Sequence, residues 1–233
     1  MATFGLIAEG ITDQIVIENI LYGYFSNKDL EITELQPKRD AADDNLASTH
    51  GNWDQVFKYC ESDDFKGAFL NKELYAVIHL DTDVFASGNV SKAYQLHLKH
   101  ADGKNFTVQE TVDAVKDKLI ECIGGEFYNK HQERIIFAIA VGEIECWLLP
   151  LYFTDKKKAK TVNCLQTLNQ ELSKGKKGFT IDAKKPDYYR TVSKPYQKQK
   201  TLKSKGPQNP SLGMLLNNLD ERGIEIPEPD WDF

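Results

Sequence analysis

The sequence has little cysteine and no long apolar run, and both absences narrow the class of protein. Its cysteines are widely spaced and form no C-x-x-C pair, which argues against a disulfide framework and a structural zinc site. The longest apolar stretch, residues 135–141, is too short to span a membrane. The N-terminus lacks the basic region of a signal peptide. These features predict a cytoplasmic protein without a membrane partner. The cysteines are Cys60, Cys122, Cys146 and Cys164.

Two further absences concern catalysis. No G-x-x-x-x-G-K-[ST] loop is present, so we do not expect the chain to hydrolyse ATP by itself. His79 lies within an apolar run, where a histidine is more typical of a core residue than of a metal ligand. The remaining histidines, His50, His97, His100 and His131, show no metal-ligand spacing.

Charge is distributed unevenly along the chain. The net charge is −6, with 41% hydrophobic and 27% charged residues, values typical of folded globular proteins. Residues 151–210 nevertheless hold 15 basic residues against four acidic ones, so the rest of the chain is strongly acidic. The sequence therefore predicts an acidic body of enzyme size that carries a basic arm.

Alternating strand and helix signals predict an α/β fold. Thr12 is placed to cap one helix, and Thr107 with Glu110 forms a capping box for another over residues 107–123, ended by Gly124. Such alternation favours a parallel sheet with helices on both faces. Residues 38–52 are polar and predict a surface loop. The predicted strands are residues 3–8, 30–35, 74–80 and 135–141.

Beyond residue 150 the pattern changes. Residues 161–172 and 211–219 have the apolar spacing of helices, whereas residues 174–210 are rich in lysine, glycine and proline and predict loops. We therefore expect a catalytic domain over residues 1–150 and a basic C-terminal subdomain with two helices over residues 151–233.

Acidic residues follow three of the predicted strands. Glu9 follows the first, Asp81 and Asp83 the third, and Glu143 and Glu145 the fourth. Ligands bind beyond the carboxyl ends of parallel strands, and carboxylates are the ligands that Mg²⁺ and Mn²⁺ prefer. Taken one at a time, each of these acids could instead belong to a turn, cap a loop or begin a helix. Their recurrence at successive strand ends predicts a site for Mg²⁺ or Mn²⁺.

Three sequence segments carry a family resemblance. AEGITD, VIHLDTDV and VGEIECWLL, in that order, resemble the motifs of the Toprim domain, which occurs in topoisomerases, bacterial primases, small ribonucleases and OLD-type nucleases. The likeness is strongest to stand-alone Toprim proteins related to the OLD nucleases, whose third motif resembles E-x-E-x-W-L-L. It covers about residues 1–150.

This resemblance implies roles for the acids. Glu9 matches the family's metal-binding or acid-base glutamate, Asp81 and Asp83 its D-x-D ligands, and Glu145 with Glu143 its third acidic motif. Glu9, Asp81, Asp83 and Glu145 are then the catalytic candidates of a divalent-metal-dependent nuclease acting on DNA or RNA. By analogy it is the effector of a defence system with a partner ATPase. Some OLD-type enzymes add a lysine, for which Lys92 is the candidate.

The basic arm is predicted to bind nucleic acid. Its mixture of cations and aromatic rings is suited to phosphates and unpaired bases, although a lysine-rich loop also occurs as plain solvated surface. The candidate contacts are Lys184, Lys185, Tyr188, Tyr189, Arg190, Lys194, Tyr196, Lys198 and Lys200.

Two other functions fit parts of the pattern. VIHLDTDV also resembles the D-x-D strand end on which nucleotide-sugar glycosyltransferases hold a metal-bound diphosphate. A non-catalytic nucleic-acid-binding module with the same fold would use the lysines and not the acids, so its binding would be sensitive to salt but indifferent to Mg²⁺.

Overall fold

The computed structural model describes residues 2–38, 53–87, 91–174 and 178–226. Residues 39–52, most of the predicted surface loop, lie outside these ranges. The strands and helices below belong to the described residues.

A four-stranded, all-parallel sheet forms the centre, with strand order β2-β1-β3-β4. The connections that leave the adjacent strands β1 and β3 run to opposite sides, to β2 and to β4. This is a topological switch point, where α/β sheets open a crevice beyond the strand ends. The predicted strands are confirmed with small changes at their ends: β1 (Thr3–Ile7), β2 (Glu31–Gln36), β3 (Leu74–Asp81) and β4 (Ile135–Ala140).

Eleven α-helices lie in the described part of the chain. None of them is both long enough and apolar enough to cross a membrane. They are α1 (Ile11–Phe25), α2 (Trp53–Glu61), α3 (Asp63–Ala68), α4 (Val84–Ser87), α5 (Val108–Ile123), α6 (Gly125–His131), α7 (Glu145–Tyr152), α8 (Cys164–Leu172), α9 (Pro186–Ser193), α10 (Gln199–Lys205) and α11 (Pro210–Arg222).

Helices cover both faces of the sheet, as predicted. Successive side chains of a strand point to opposite faces. On β3, Ala76, Ile78 and Leu80 accordingly join one apolar cluster with α2, α3, α5 and α6. Val77 joins a second cluster with α1 and α7 to α11. Burial on both faces explains why β1, β3 and β4 are largely apolar.

The two predicted helix starts have different outcomes. At α5 the capping box is confirmed: Thr107 Oγ1 accepts from the amide of Glu110 at 3.2 Å, and Glu110 Oε2 accepts from the amide of Thr107 at 2.7 Å. At α1 the prediction that Thr12 is the cap is wrong. Gly10 is the N-cap, and its amide donates to Asp13 Oδ2 at 2.9 Å.

The prediction of loops over residues 174–210 holds for residues 178–185 but is wrong for most of residues 186–210. This range contains α9 and α10, because Tyr189, Val192 and Leu202 are buried against the body. Asn19 of α1 donates to Ser193 Oγ at 2.6 Å, and Gln197 donates to Asn19 Oδ1 at 2.7 Å. The apolar cluster under α1 therefore runs across the predicted boundary at residue 150.

The expectation that the cysteines form no disulfide framework needs a correction. Cys146, in the first turn of α7, and Cys164, the first residue of α8, form a disulfide. Both cysteines are fully buried. Because they are 18 residues apart, no short sequence motif indicates the pairing. Cys60 and Cys122 are free thiols.

Candidate metal centre

The ends of β1 and β3 bring Glu9 and Asp81 together at the switch point. Glu9 Oε1 accepts a hydrogen bond of 2.9 Å from the backbone amide of Asp81. Burial, together with the charges of Asp81 and Asp13, raises the pKa of Glu9 well above its usual value. The predicted convergence of these two strand ends is therefore present in the structure.

A close group of three potential ligands surrounds Asp81. One ligand atom each from Asp13, His79 and Asp81 lies within 4.8 Å of the other two, and all three residues are buried. Asp13 reaches the group from the first turn of α1. His79 and Asp81 are two residues apart on β3 and point to the same face. Asp13 and His79 are absent from the set of ligands predicted from the sequence.

The contacts of His79 indicate positive charge between its ring and Asp81. Nδ1 lies 2.7 Å from the carbonyl oxygen of Ala138, and because a carbonyl only accepts, Nδ1 carries a proton. Nε2 lies 3.1 Å from Asp81 Oδ1. It therefore carries a second proton or shares a cation with the carboxylate. Burial alone would lower the pKa of His79, but its hydrogen bond to Asp81 and the surrounding carboxylates raise it to about 9.

Glu145, the first residue of α7, is fully buried behind this group. Its Oε1 accepts from the hydroxyl of Tyr189, whereas its Oε2 is buried and has no hydrogen-bond partner among the described residues. Burial raises the pKa of Glu145 to about 7; Lys184 acts against this rise, and Asp81 and Glu143 add to it. A buried carboxylate oxygen without a partner is costly, and a cation would satisfy it.

Asp83 and Glu143 lie at the solvent side of the centre. Glu143 Oε1 accepts from the amide of Leu165 at 2.7 Å, so one of its oxygens holds the start of α8. Burial of its carboxylate, with the charges of Asp81 and Glu143, raises the pKa of Asp83 to about 6. Both residues are near the predicted site, but neither belongs to the close group of Asp13, His79 and Asp81.

Backbone hydrogen bonds fix the loop after β3 against the loop after β4. The carbonyl of Gly142 accepts from the amides of Thr82 at 2.8 Å and Asp83 at 3.0 Å, and the Gly142 amide donates to Thr82 Oγ1 at 2.8 Å. Gly142 has a φ of 93°, and a Cβ there would lie 2.2 Å from the carbonyl oxygen of Thr161. Glycine is therefore required where the second and third acidic motifs meet.

Lys184, just before α9, supplies positive charge to the acids. Lys184 is exposed to solvent as a residue, and the charge of its ammonium group acts on the nearby carboxylates. Desolvation lowers the pKa of Lys184, and the charges of the acids outweigh that effect and raise it. The prediction for Lys92 gains no support, because the lysine whose charge acts on the centre is Lys184. The acids involved are Asp13, Asp81, Glu145 and Glu9.

The rest of the basic arm divides into buried and exposed residues. Tyr189 and Tyr196 are fully buried, which does not fit the prediction that they stack on bases. Tyr188 stacks on Phe179 with ring centroids 5.7 Å apart, and Arg190 pairs with Asp187 at 3.0 Å. The lysines that remain exposed are Lys185, Lys194, Lys198 and Lys200.

The centre combines more buried negative charge than its own cations balance. Burial also raises the pKa of Asp13, although the charge of Lys184 opposes the rise. Buried carboxylates that repel one another have raised pKa values, and a bound divalent cation would relieve that repulsion. Comparison of the chain with models of protein families, with curated proteins and with solved structures finds no match.

Proposed function

We propose that the protein is a divalent-metal-dependent nuclease that hydrolyses phosphodiester bonds of DNA or RNA, on a Toprim-like fold. The observation that carries the proposal is the meeting of Glu9, Asp13 and Asp81 with His79 at the switch point of a parallel sheet. The buried Oε2 of Glu145, which has no hydrogen-bond partner in the described part of the chain, supports it independently.

The residues at the centre fit Mg²⁺ or Mn²⁺. Carboxylate oxygens suit both ions, and the imidazole of His79 favours Mn²⁺ over Mg²⁺, since Mg²⁺ prefers an all-oxygen shell. Asp13, His79 and Asp81 would hold the ion, with Glu9 and Glu145 beside them. A bound divalent ion supplies an activated water and stabilises the oxygen that leaves a phosphodiester.

The side chains around this group have separate tasks in the proposal. Glu9, with its raised pKa, is suited to accept the proton of an attacking water. Lys184 is open to solvent on one side and would orient a phosphate oxygen. Glu145 is held by Tyr189 and would keep the inner side of the centre negative.

The proposed partner is nucleic acid, held through the exposed lysines of the arm. Lys185, Lys194, Lys198 and Lys200 offer the charge that phosphates need, and an acidic body benefits from it because it would otherwise repel a polyanion. A partner ATPase and a role in defence rest on the sequence resemblance alone.

The test is cleavage of plasmid, single-stranded DNA and tRNA by the purified protein in Mg²⁺ or Mn²⁺. Asp81→Asn and Glu9→Gln are each expected to lower the rate by at least about 100-fold, because even residues that only orient metal ligands reach that effect. Asp117→Asn, an exposed acid on α5, is the matched control and should retain full activity. Equal cleavage by all four proteins would refute the proposal.

The same preparations address the two other functions. Metal-dependent release of a nucleoside diphosphate from nucleotide sugars, without cleavage of nucleic acid, would indicate a glycosyltransferase. Salt-sensitive nucleic-acid binding that ignores Mg²⁺, and is the same in Asp81→Asn, would indicate a binding module.

A further inference from the structure

A cavity of about 660 Å³ is lined by Asp83 and Glu143, although Asp13, His79 and Asp81 do not line it. Its inner wall is formed by Thr82, Asp83, Gly142 and Glu143, which belong to the two loops that carry the acidic motifs. The volume lies in the range of pockets that bind small molecules or single nucleotides. Because these two loops also carry the acidic motifs, a group bound in the cavity would be adjacent to a phosphate at the metal centre.

One outer wall is an ordered hairpin-like segment over residues 96–106. The amide of His100 donates to the carbonyl of Lys104 at 2.8 Å, and the amide of Phe106 donates to the carbonyl of Leu98 at 3.1 Å. Lys99 and Asn105 form a β-bridge. These bonds fix the half-buried ring of Phe106 at the cavity wall.

Another part of the lining presents apolar surface to solvent. Val162 is 66% exposed, one of two strongly exposed large apolar side chains among the described residues, and it lines this cavity with Val141. Exposed apolar side chains around a concave site commonly mark ligand contact. Polar groups accompany them: Asn105 and Asn163 can pair with a base edge, and Lys99 can pair with a phosphate.

We propose that this cavity, here called the base pocket, binds an unpaired nucleobase next to the phosphate at the metal centre, so that the substrate is single-stranded nucleic acid. The inference rests on the proposed nuclease function. Phe106 offers an aromatic ring for stacking, Val162 adds an apolar contact, and Asp83 and Glu143 supply the acidic part of the lining. In a duplex the bases are stacked inside and mainly phosphates face a protein, so a concave apolar wall would gain little from it.

Binding measured without cleavage tests the pocket separately from the catalytic centre. Fluorescence anisotropy with a labelled single-stranded oligonucleotide, and with the same strand in a duplex, is recorded in EDTA for the full chain. Phe106→Ala should weaken single-strand binding by about 5- to 150-fold, the range for loss of one stacked base, and leave duplex binding unchanged. Leu70→Ala removes an 87% exposed leucine away from the pocket and is the matched control.

Val162→Asp is the second variant. Because Val162 lies on the surface, this substitution leaves the packing of the core unchanged. It should also weaken single-strand binding more than duplex binding, since a charged group would replace the apolar contact with the unpaired base. Unchanged single-strand affinity in both variants, or equal loss for single strand and duplex, overturns the base pocket. Metal-dependent cleavage that is lost in Asp81→Asn decides the nuclease proposal independently, so failure of one inference is distinguishable from failure of the other.

Discussion

The carboxylate of Asp13 lies within the close ligand group although the residue belongs to the first turn of a helix. Asp13→Asn keeps an acceptor for the amide of Gly10 but removes the charge. We expect it to weaken Mn²⁺ binding by about 10- to 100-fold in isothermal titration calorimetry, as for residues that support a metal site. Asp117→Asn should bind as the wild type does. An unchanged affinity in Asp13→Asn would remove this residue from the site.

Tyr189 stabilises the buried Glu145 through its hydroxyl. Tyr189→Phe keeps the ring and removes the donor, so a buried carboxylate loses its hydrogen bond. The free energy of unfolding in urea should fall by about 1 to 3 kcal/mol, the range for hydrogen bonds to charged groups. Tyr188→Phe, which retains its stacking on Phe179, is the control and should change little. Equal stabilities of the two variants would contradict this role.

Sequence reasoning found Glu9 and Asp81 because each follows a buried strand, and strand ends meet at one edge of a parallel sheet. It missed His79 because a histidine inside an apolar run resembles a core residue, which His79 also is. A signal was available: His79 and Asp81 are two residues apart on one strand and must share a face. Sequence reasoning missed Asp13 because the distance of this residue from Asp81 depends on how α1 packs.

Helix α1 holds the C-terminal segment through a close backbone approach. A Cβ on Gly23 would lie 1.8 Å from the carbonyl oxygen of Tyr196. This oxygen belongs to the backbone, so it cannot move aside as the end of a flexible side chain can. Gly23→Ala is therefore expected to cost about 3 kcal/mol or more in urea unfolding, at or beyond the usual range for overpacking.

Gly67→Ala in α3 is the matched control for this contact. A Cβ there meets nothing within 4 Å, so alanine should be neutral or stabilising by up to about 1 kcal/mol through helix propensity. If Gly23→Ala were as stable as Gly67→Ala, the packing of α1 against the segment that contains Tyr196 would be wrong.

Helices α9 and α10 show why lysine-rich composition misleads at the scale of elements. Tyr189, Val192 and Tyr196 follow the three- and four-residue spacing of an apolar helix face, and all three are buried. The cations between them, Arg190 and Lys194, are exposed. Composition predicted a loop, whereas the spacing already contained a helical signal across α9, and Tyr196 lies in the 3-10 turn that follows α9. Strands β1, β3 and β4 were predictable because burial on both faces makes them largely apolar, and β2 was predictable from its alternation of apolar and polar residues.

At the scale of the whole molecule, the acidic body and the basic segment share one apolar cluster. The sequence predicted a parallel sheet but not the order β2-β1-β3-β4, because neighbour relations depend on packing between distant segments. That order creates the switch point on which the site depends. The position of Lys184 among the acids likewise follows from the docking of the C-terminal helices.

A ligand that binds the folded state adds to its stability. At a Mn²⁺ concentration of about 100 times the dissociation constant, the gain is about 2.7 kcal/mol. The midpoint of thermal or urea unfolding of the wild type should therefore rise with Mn²⁺ and return to its original value with EDTA. The midpoint for Asp81→Asn should not change. A metal-dependent shift of equal size in both proteins would place the ion elsewhere.

Location of the ion by anomalous X-ray scattering tests the metal centre most directly. In crystals soaked with Mn²⁺, we predict an anomalous peak bonded to Asp81 and to at least one of Asp13 and His79. Crystals of Asp81→Asn should lack that peak. Wild-type crystals with an empty position at Asp81, or with manganese only at surface acids such as Asp117, would contradict the account.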